Sequence, residues 1–156
     1  MKPLIAETSI IINAPIEKVW EVMLDTNAYS RWNPFVIKVK AQGDVKQVGT
    51  QMKLFVKWAN GKQESSDEVI TEVKPPYDDG TGTKRAYWAY RFAGKLTYPG
   101  LVRAIRYQWL EQLDNGITFY RTREEFTGLL KNFIPLAKVQ EGFERQAKAL
   151  AAVFKK

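Results

Sequence analysis

From Phe35 to Thr127 apolar and polar residues alternate with a period of two, and turn residues punctuate the run at short intervals. The punctuation falls at Gly43-Asp44, Val48-Gly49, Asn60-Gly61, Gly80 to Gly82, Pro99-Gly100 and Asn115-Gly116. Side chains alternate across a strand, so this pattern buries one face of a sheet and cannot bury a helical stripe. It predicts strands near 35–42, 51–58, 62–74, 85–94, 103–113 and 116–127, joined as an antiparallel meander. Asn60-Gly61 and Asn115-Gly116 are expected as two-residue type I′ hairpin turns, which need positive φ at both central residues. The polar stretch Pro75 to Thr83 is expected as a long loop and the most mobile tip.

What flanks the meander completes the layers. Ile5 to Ile12 reads as one more strand, with Thr8, Ile10 and Ile12 on one side and Ile11 on the other. Pro15 suits the first helical position after a cap at Asn13 or Ala14, because a proline lacks the N–H that would go unpaired there. Ile16, Val19, Trp20, Met23 and Leu24 then recur at helical spacing, and a second short helical stretch runs from about Ala28 to Trp32 before Asn33-Pro34 forces extension. After Pro135 one stripe collects Leu136, Val139, Phe143, Gln146, Ala147 and Leu150, while Lys138, Glu141, Glu144, Arg145 and Lys148 fall on the other. That predicts a C-terminal helix of about 20 residues, roughly 30 Å long, which crosses the width of a curved sheet. The expected fold is α+β: a seven-stranded curved antiparallel sheet wrapped around one long C-terminal helix, with two short helices between strands 1 and 2. Residues 1–156 are expected as a single domain.

Composition narrows the chemistry. The chain has no cysteine and no histidine, which removes thiolate nucleophiles, disulfides, imidazole bases and the commonest metal ligands. No metal and no cofactor is expected; Asp78-Asp79 alone lacks the oxygen ligands that calcium requires. The formal charge is +7, from 24 Lys and Arg against 17 Asp and Glu. These cations are scattered singly rather than gathered in a stripe, so a solvated basic surface is expected and no nucleic-acid partner. No apolar run approaches a membrane span and no targeting segment is evident, so a cytoplasmic protein, monomer or homodimer, is expected.

Several local motifs carry a resemblance. Ile12-Asn13-Ala14-Pro15 with Val19-Trp20, then Tyr29 to Phe35, Val48-Gly49-Thr50, Val73 to Pro76 and Glu124 to Leu130 occur in order over nearly the whole chain. This set resembles the SRPBCC superfamily (START-like, Bet v 1-like), in its bacterial polyketide cyclase/dehydrase and lipid-transport-like branch. The resemblance implies a helix-grip fold with a hydrophobic cavity between sheet and C-terminal helix, and leaves the ligand open. Related sequences often carry a histidine on the penultimate strand; Ile105 stands at that place here, so a His–Glu pair is absent.

Twenty aromatics, 13% of the chain, supply candidate cavity walls. Trp88, Tyr90 and Phe92 alternate on one strand and Tyr107 and Trp109 on the next, and both sets are expected to face the helix. Trp32, Phe35, Met52, Leu54, Phe126 and Phe143 would complete the wall, and Tyr120 would offer a hydroxyl. A packed aromatic core accounts for the same pattern. If Phe126 points inward, Glu124 does too, and a desolvated carboxylate there could accept a proton or anchor a ligand hydroxyl. Arg91 and Arg106 have the parity opposite to their strands' aromatics and are expected on the outer face. The function expected is binding or transport of a small hydrophobic or amphipathic molecule, such as a lipid, polyketide or aromatic metabolite. The alternatives are a cofactor-free cyclase or dehydratase and a co-chaperone or stress-response interaction protein.

Overall fold

The computed structural model describes residues 2–97 and 100–155. Seven antiparallel strands form one sheet: β1 (Leu4–Ile12), β2 (Val36–Ala41), β3 (Gln51–Lys57), β4 (Gln63–Asp78), β5 (Lys84–Phe92), β6 (Arg103–Asp114) and β7 (Ile117–Thr127). Their order is β1-β7-β6-β5-β4-β3-β2, a meander whose last strand pairs with the first. Two short helices, α1 (Ile16–Leu24) and α2 (Tyr29–Trp32), separate β1 from β2, and α3 (Leu136–Val153) follows the sheet. The expected α+β architecture is present, with α3 at 18 residues.

Pro15 sits one place earlier than expected. It is the N-cap of α1, with extended backbone at φ −65° and ψ 153°, and its carbonyl accepts from Lys18 and Val19. The apolar stripe Ile16, Val19, Trp20, Met23 and Leu24 is buried against the sheet. Edge strand β1 is covered by α3: Gln140 accepts from the Glu7 N–H through Oε1 at 2.8 Å and donates to the Glu7 carbonyl through Nε2 at 2.7 Å. One side-chain amide thus takes the place of a neighbouring strand at an exposed edge.

Three expectations about turns are corrected. β4 runs on through Pro75 and Pro76 to Asp78, and a register shift between Lys74 and Tyr77 absorbs the two prolines that cannot donate to the ladder. The long loop shrinks to residues 79–83, where Asp79 accepts from Thr81 and from Arg85 Nε at 2.7 Å. Neither Asn60 nor Asn115 takes positive φ, so neither hairpin turn is type I′. At the first, Trp58 to Gly61 forms a turn closed by Gly61 at φ +88°, a three-residue loop with the bulge that such loops favour. At the second, Asn115-Gly116 is flanked by a register shift between Gln112 and Asp114. Pro99 of the expected Pro99-Gly100 turn lies outside the described residues.

The space between sheet and α3 divides in two. Around α1, Trp88, Tyr120, Leu110, Met23 and Leu150 are almost wholly buried and fill it. Towards the N-terminal half of α3 it stays open.

Candidate functional site

The open part is a cavity of about 240 Å³. Phe35, Leu54, Tyr90, Phe92, Phe126 and Phe143, all expected at a ligand wall, line it, and so does Glu124. Trp58, Val102, Ala104 and Val139 line it as well, without having stood out in the sequence. Its rim carries Leu96, Glu64, Ile134 and Pro135.

The helix can approach this wall because position 142 is glycine. A Cβ there would lie 2.3 Å from the Phe35 ring, which stacks edge-on against Phe143 at 5.9 Å. Gly142 therefore seats Phe35 under α3, between the helix and Trp58.

Other expected wall residues lie elsewhere. Trp88 and Tyr120 face inward but belong to the filled half: Trp88 Nε1 donates to the Val45 carbonyl at 3.1 Å, and Tyr120 Oη donates to Gln108 Oε1 at 2.6 Å. Met52 borders a separate groove over β2–β4. Trp32 packs edge-on against Tyr29, off the cavity wall. Tyr107 and Trp109 are on the outer face of the sheet, where they stack on each other at a centroid distance of 5.3 Å and on Tyr87 at 6.2 and 5.9 Å, and Arg121 lies over Trp109. Directly opposed residues of an antiparallel pair share a face. Trp88 is opposite Gln108 and Tyr90 opposite Arg106, so the inner face of β6 carries Gln108 and Arg106.

Arg106, expected on the outer face, is 2% exposed and points inward. Nε donates to Thr122 Oγ1 at 2.9 Å, Nη1 to Tyr90 Oη at 3.0 Å and Nη2 to Gln146 Oε1 at 3.1 Å, while the guanidinium lies 4.1 Å from the centre of the Phe143 ring. It joins β5, β7 and α3 in one network at the cavity wall. Burial works against its charge, yet Tyr90, Tyr120 and Glu124 outweigh this and hold its pKa above the usual arginine value. Arg91 is exposed, on the outer face as expected.

Two carboxylates share the cavity with it. Glu124 stands opposite Arg106 in the β6–β7 register and accepts no hydrogen bond among the described residues. Burial pushes its pKa up to about 7, with the Arg106 charge opposing. Glu68, on β4, is 4% exposed; burial, and then the charge of Glu124, push its pKa well above the usual carboxylate range, with the Ser66 hydroxyl opposing. Two acids that sense each other in an apolar space do not both ionise freely. Glu68 was not singled out in the sequence, although it shares parity with the buried Ile70. The outer face keeps the ordinary ion pairs, Glu7 with Arg121 and Arg123, and Glu125 with Arg123.

Among the described residues no group of three or more acids is placed to hold a metal ion, and no helix is long and apolar enough to cross a membrane. A pocket with an apolar wall and a few convergent polar groups with shifted pKa values is the arrangement of a small-molecule site.

Solved structures share the architecture. The ZhuI aromatase/cyclase from Streptomyces sp. R1128 superposes with a TM-score of 0.70 at 18% identity, over 97% of this chain and 93% of that one. A START superfamily protein from Mycobacterium smegmatis gives 0.66 at 15% identity, over 96% of each chain. Among curated proteins, the oxopyrrolidines biosynthesis cluster protein O of Penicillium oxalicum is 32% identical over 95 residues, 53% of this chain, and the match spans about half (47%) of that relative's length. The family model for polyketide cyclase/dehydrase and lipid transport matches residues 4–155. With nearly every residue inside that match and the START-like fold around the cavity, the chain belongs to the polyketide cyclase/dehydrase and lipid transport family.

Proposed function

We propose that the protein binds a compact amphipathic molecule in the cavity between the sheet and α3. The observation that carries this reading is an aromatic-walled space of about 240 Å³ with Glu68, Arg106 and Glu124 gathered on its wall. The size favours one or two rings over a long acyl chain: ligand sites commonly run to roughly 300–1,000 Å³, and a dry cavity of about 150 Å³ already admits benzene. Apolar rings supply the burial, and the carboxylates and the guanidinium fix orientation.

A second reading has its own support. A carboxyl group titrating near 7 serves as proton donor and acceptor alike, which suits a cofactor-free cyclisation or dehydration of a bound carbonyl compound. On this reading Glu124 moves the proton and the wall folds the chain.

Trp58 on the wall provides the test. Titration with a one-ring apolar probe such as benzyl alcohol is expected to change the tryptophan emission saturably, and Trp58→Phe to remove most of that change while the probe still binds by calorimetry. Absence of calorimetric binding both by benzyl alcohol and by one-ring probes that carry a charged end in its place would overturn the ligand-site reading.

A further inference from the structure

The ionisable groups lining the cavity are opposite in kind to those that dominate the molecule as a whole. The chain carries +7, yet the cavity gathers the carboxyl groups of Glu64, Glu68 and Glu124 against the single guanidinium of Arg106. Taken element by element, β4 presents Glu64 and Glu68, β5 the Tyr90 hydroxyl, β6 Arg106 and β7 Glu124, while β3 and α3 present apolar side chains. Of the titratable residues along this part of α3, Lys138 is exposed, Glu144 accepts from Gln140, and Arg145 pairs with Glu141 and donates to the carbonyls of Pro34 and Lys57.

Arg106 is largely committed. Three of its five N–H groups are taken by Thr122, Tyr90 and Gln146, and its guanidinium lies over the Phe143 ring. Glu124 accepts nothing among the described residues, and Glu68 has only the Ser66 hydroxyl beside it. The unmet capacity on this wall is therefore mostly acceptor capacity, from the two carboxyl groups. An anionic ligand would hold both acids in their protonated form and would find the one cation on the wall already hydrogen-bonded to its neighbours. A cation with N–H groups would favour the ionised form of both acids and supply the donors they lack.

Resting on the ligand-site reading above, we infer that the molecule bound here is a small amine: a compact apolar body, one or two rings in size, ending in a protonated nitrogen held between Glu68 and Glu124. Glu64 and Leu96 are among the exposed residues of the lining, so their side of the cavity is where the ammonium group would enter. Binding requires the carboxylates to ionise, so the complex forms with release of protons into the buffer, and affinity rises with pH through the range in which Glu124 titrates, up to the point where the amine itself loses its proton.

Three probes with one ring and one polar end separate the possibilities: benzylamine, benzyl alcohol and benzoate, titrated calorimetrically at about pH 8, where the amine is still a cation. Benzylamine is expected to bind about tenfold or more tighter than benzyl alcohol, the scale of a hydrogen bond to a charged group, and benzoate weakest of the three. Repeating the benzylamine titration in buffers of different ionisation enthalpy is expected to show protons released. Glu124→Gln should bring the amine down to the level of the alcohol, and Glu68→Gln, measured beside it so that one folded variant suffices, should do the same; a folded variant that still prefers the amine about tenfold would overturn the inference. Benzyl alcohol or benzoate binding as tightly as the amine would overturn this inference and leave the ligand site standing. Failure of all three probes to bind would overturn both.

Discussion

Replacing Arg106 with Met is expected to lower the stability of the folded protein by about 3–5 kcal/mol at neutral pH, the cost of removing one member of a buried charged network. Met matches much of the side chain's volume, so the loss comes from what is left behind. Tyr90, Thr122 and Gln146 each lose the N–H they accept from, and Glu68 and Glu124 lose the one cation on their wall. The α3 contact with β5 and β7 goes with them, because Arg106 is bonded to all three. Chemical denaturation of the two proteins measures this. Without the guanidinium the carboxylates take up protons more readily, so the deficit should be smaller near pH 5 than near pH 8. A loss below about 1 kcal/mol would show that the network adds little to stability.

The second large effect is a dependence of stability on pH that runs opposite to acid denaturation. Glu124 binds its proton more tightly in the folded protein, where its pKa is about 7, than in the unfolded chain, where it has the ordinary value of 4.5. Its contribution is full below 4.5 and is lost as pH rises through about 7. The difference amounts to on the order of 3 kcal/mol. Glu68 is shifted in the same direction. The protein should therefore gain stability on going from about pH 8 to about pH 5, against the trend of proteins whose carboxylates are salt-bridged. Glu124→Gln should be more stable than the native protein at the higher pH by about 2–3 kcal/mol, equal to it within about 1 kcal/mol at the lower, and should retain the slope due to Glu68. Thermal or urea denaturation at the two pH values decides it. Equal stability of both proteins at both values would place Glu124 in solvent. If Glu124 transfers a proton to or from a bound carbonyl compound, the same variant keeps that uncharged compound and loses turnover by about 100-fold or more.

The fold was legible because its signals are periodic. Alternation over more than ninety residues, a helical stripe after Pro135 and turn residues between them leave little else to build. Glu124 was legible through Phe126, two residues along the same strand, which buries its ring and brings the carboxylate to the same face.

Arg106, Tyr107 and Trp109 were not legible, and the reason is one residue. A two-residue turn at Asn115-Gly116 pairs Asp114 with Ile117; carried on without interruption, that register sets Tyr107 opposite Glu124 and turns the aromatics of β6 inward. The shift between Gln112 and Asp114 leaves Leu113 without a partner, so Arg106 is opposite Glu124 instead. A bulge of a single residue exchanges the two faces of everything beyond it. The aromatics of β6 then form the outer stack with Tyr87, and the arginine enters the core. The same limit hid the division of the interior. Trp88 and Tyr90 share parity, but α1 closes over the first and the cavity opens beside the second, a matter of helix placement that alternation does not encode.

Whether the space beside Glu68, Arg106 and Glu124 receives a ligand is decided by a crystal structure of the protein grown with benzylamine. One molecule is expected, enclosed between Phe35, Tyr90, Phe126 and Phe143, with its nitrogen within hydrogen-bonding distance of the Glu124 carboxylate. A structure in which those side chains close on one another and leave no room for the ring would contradict that expectation.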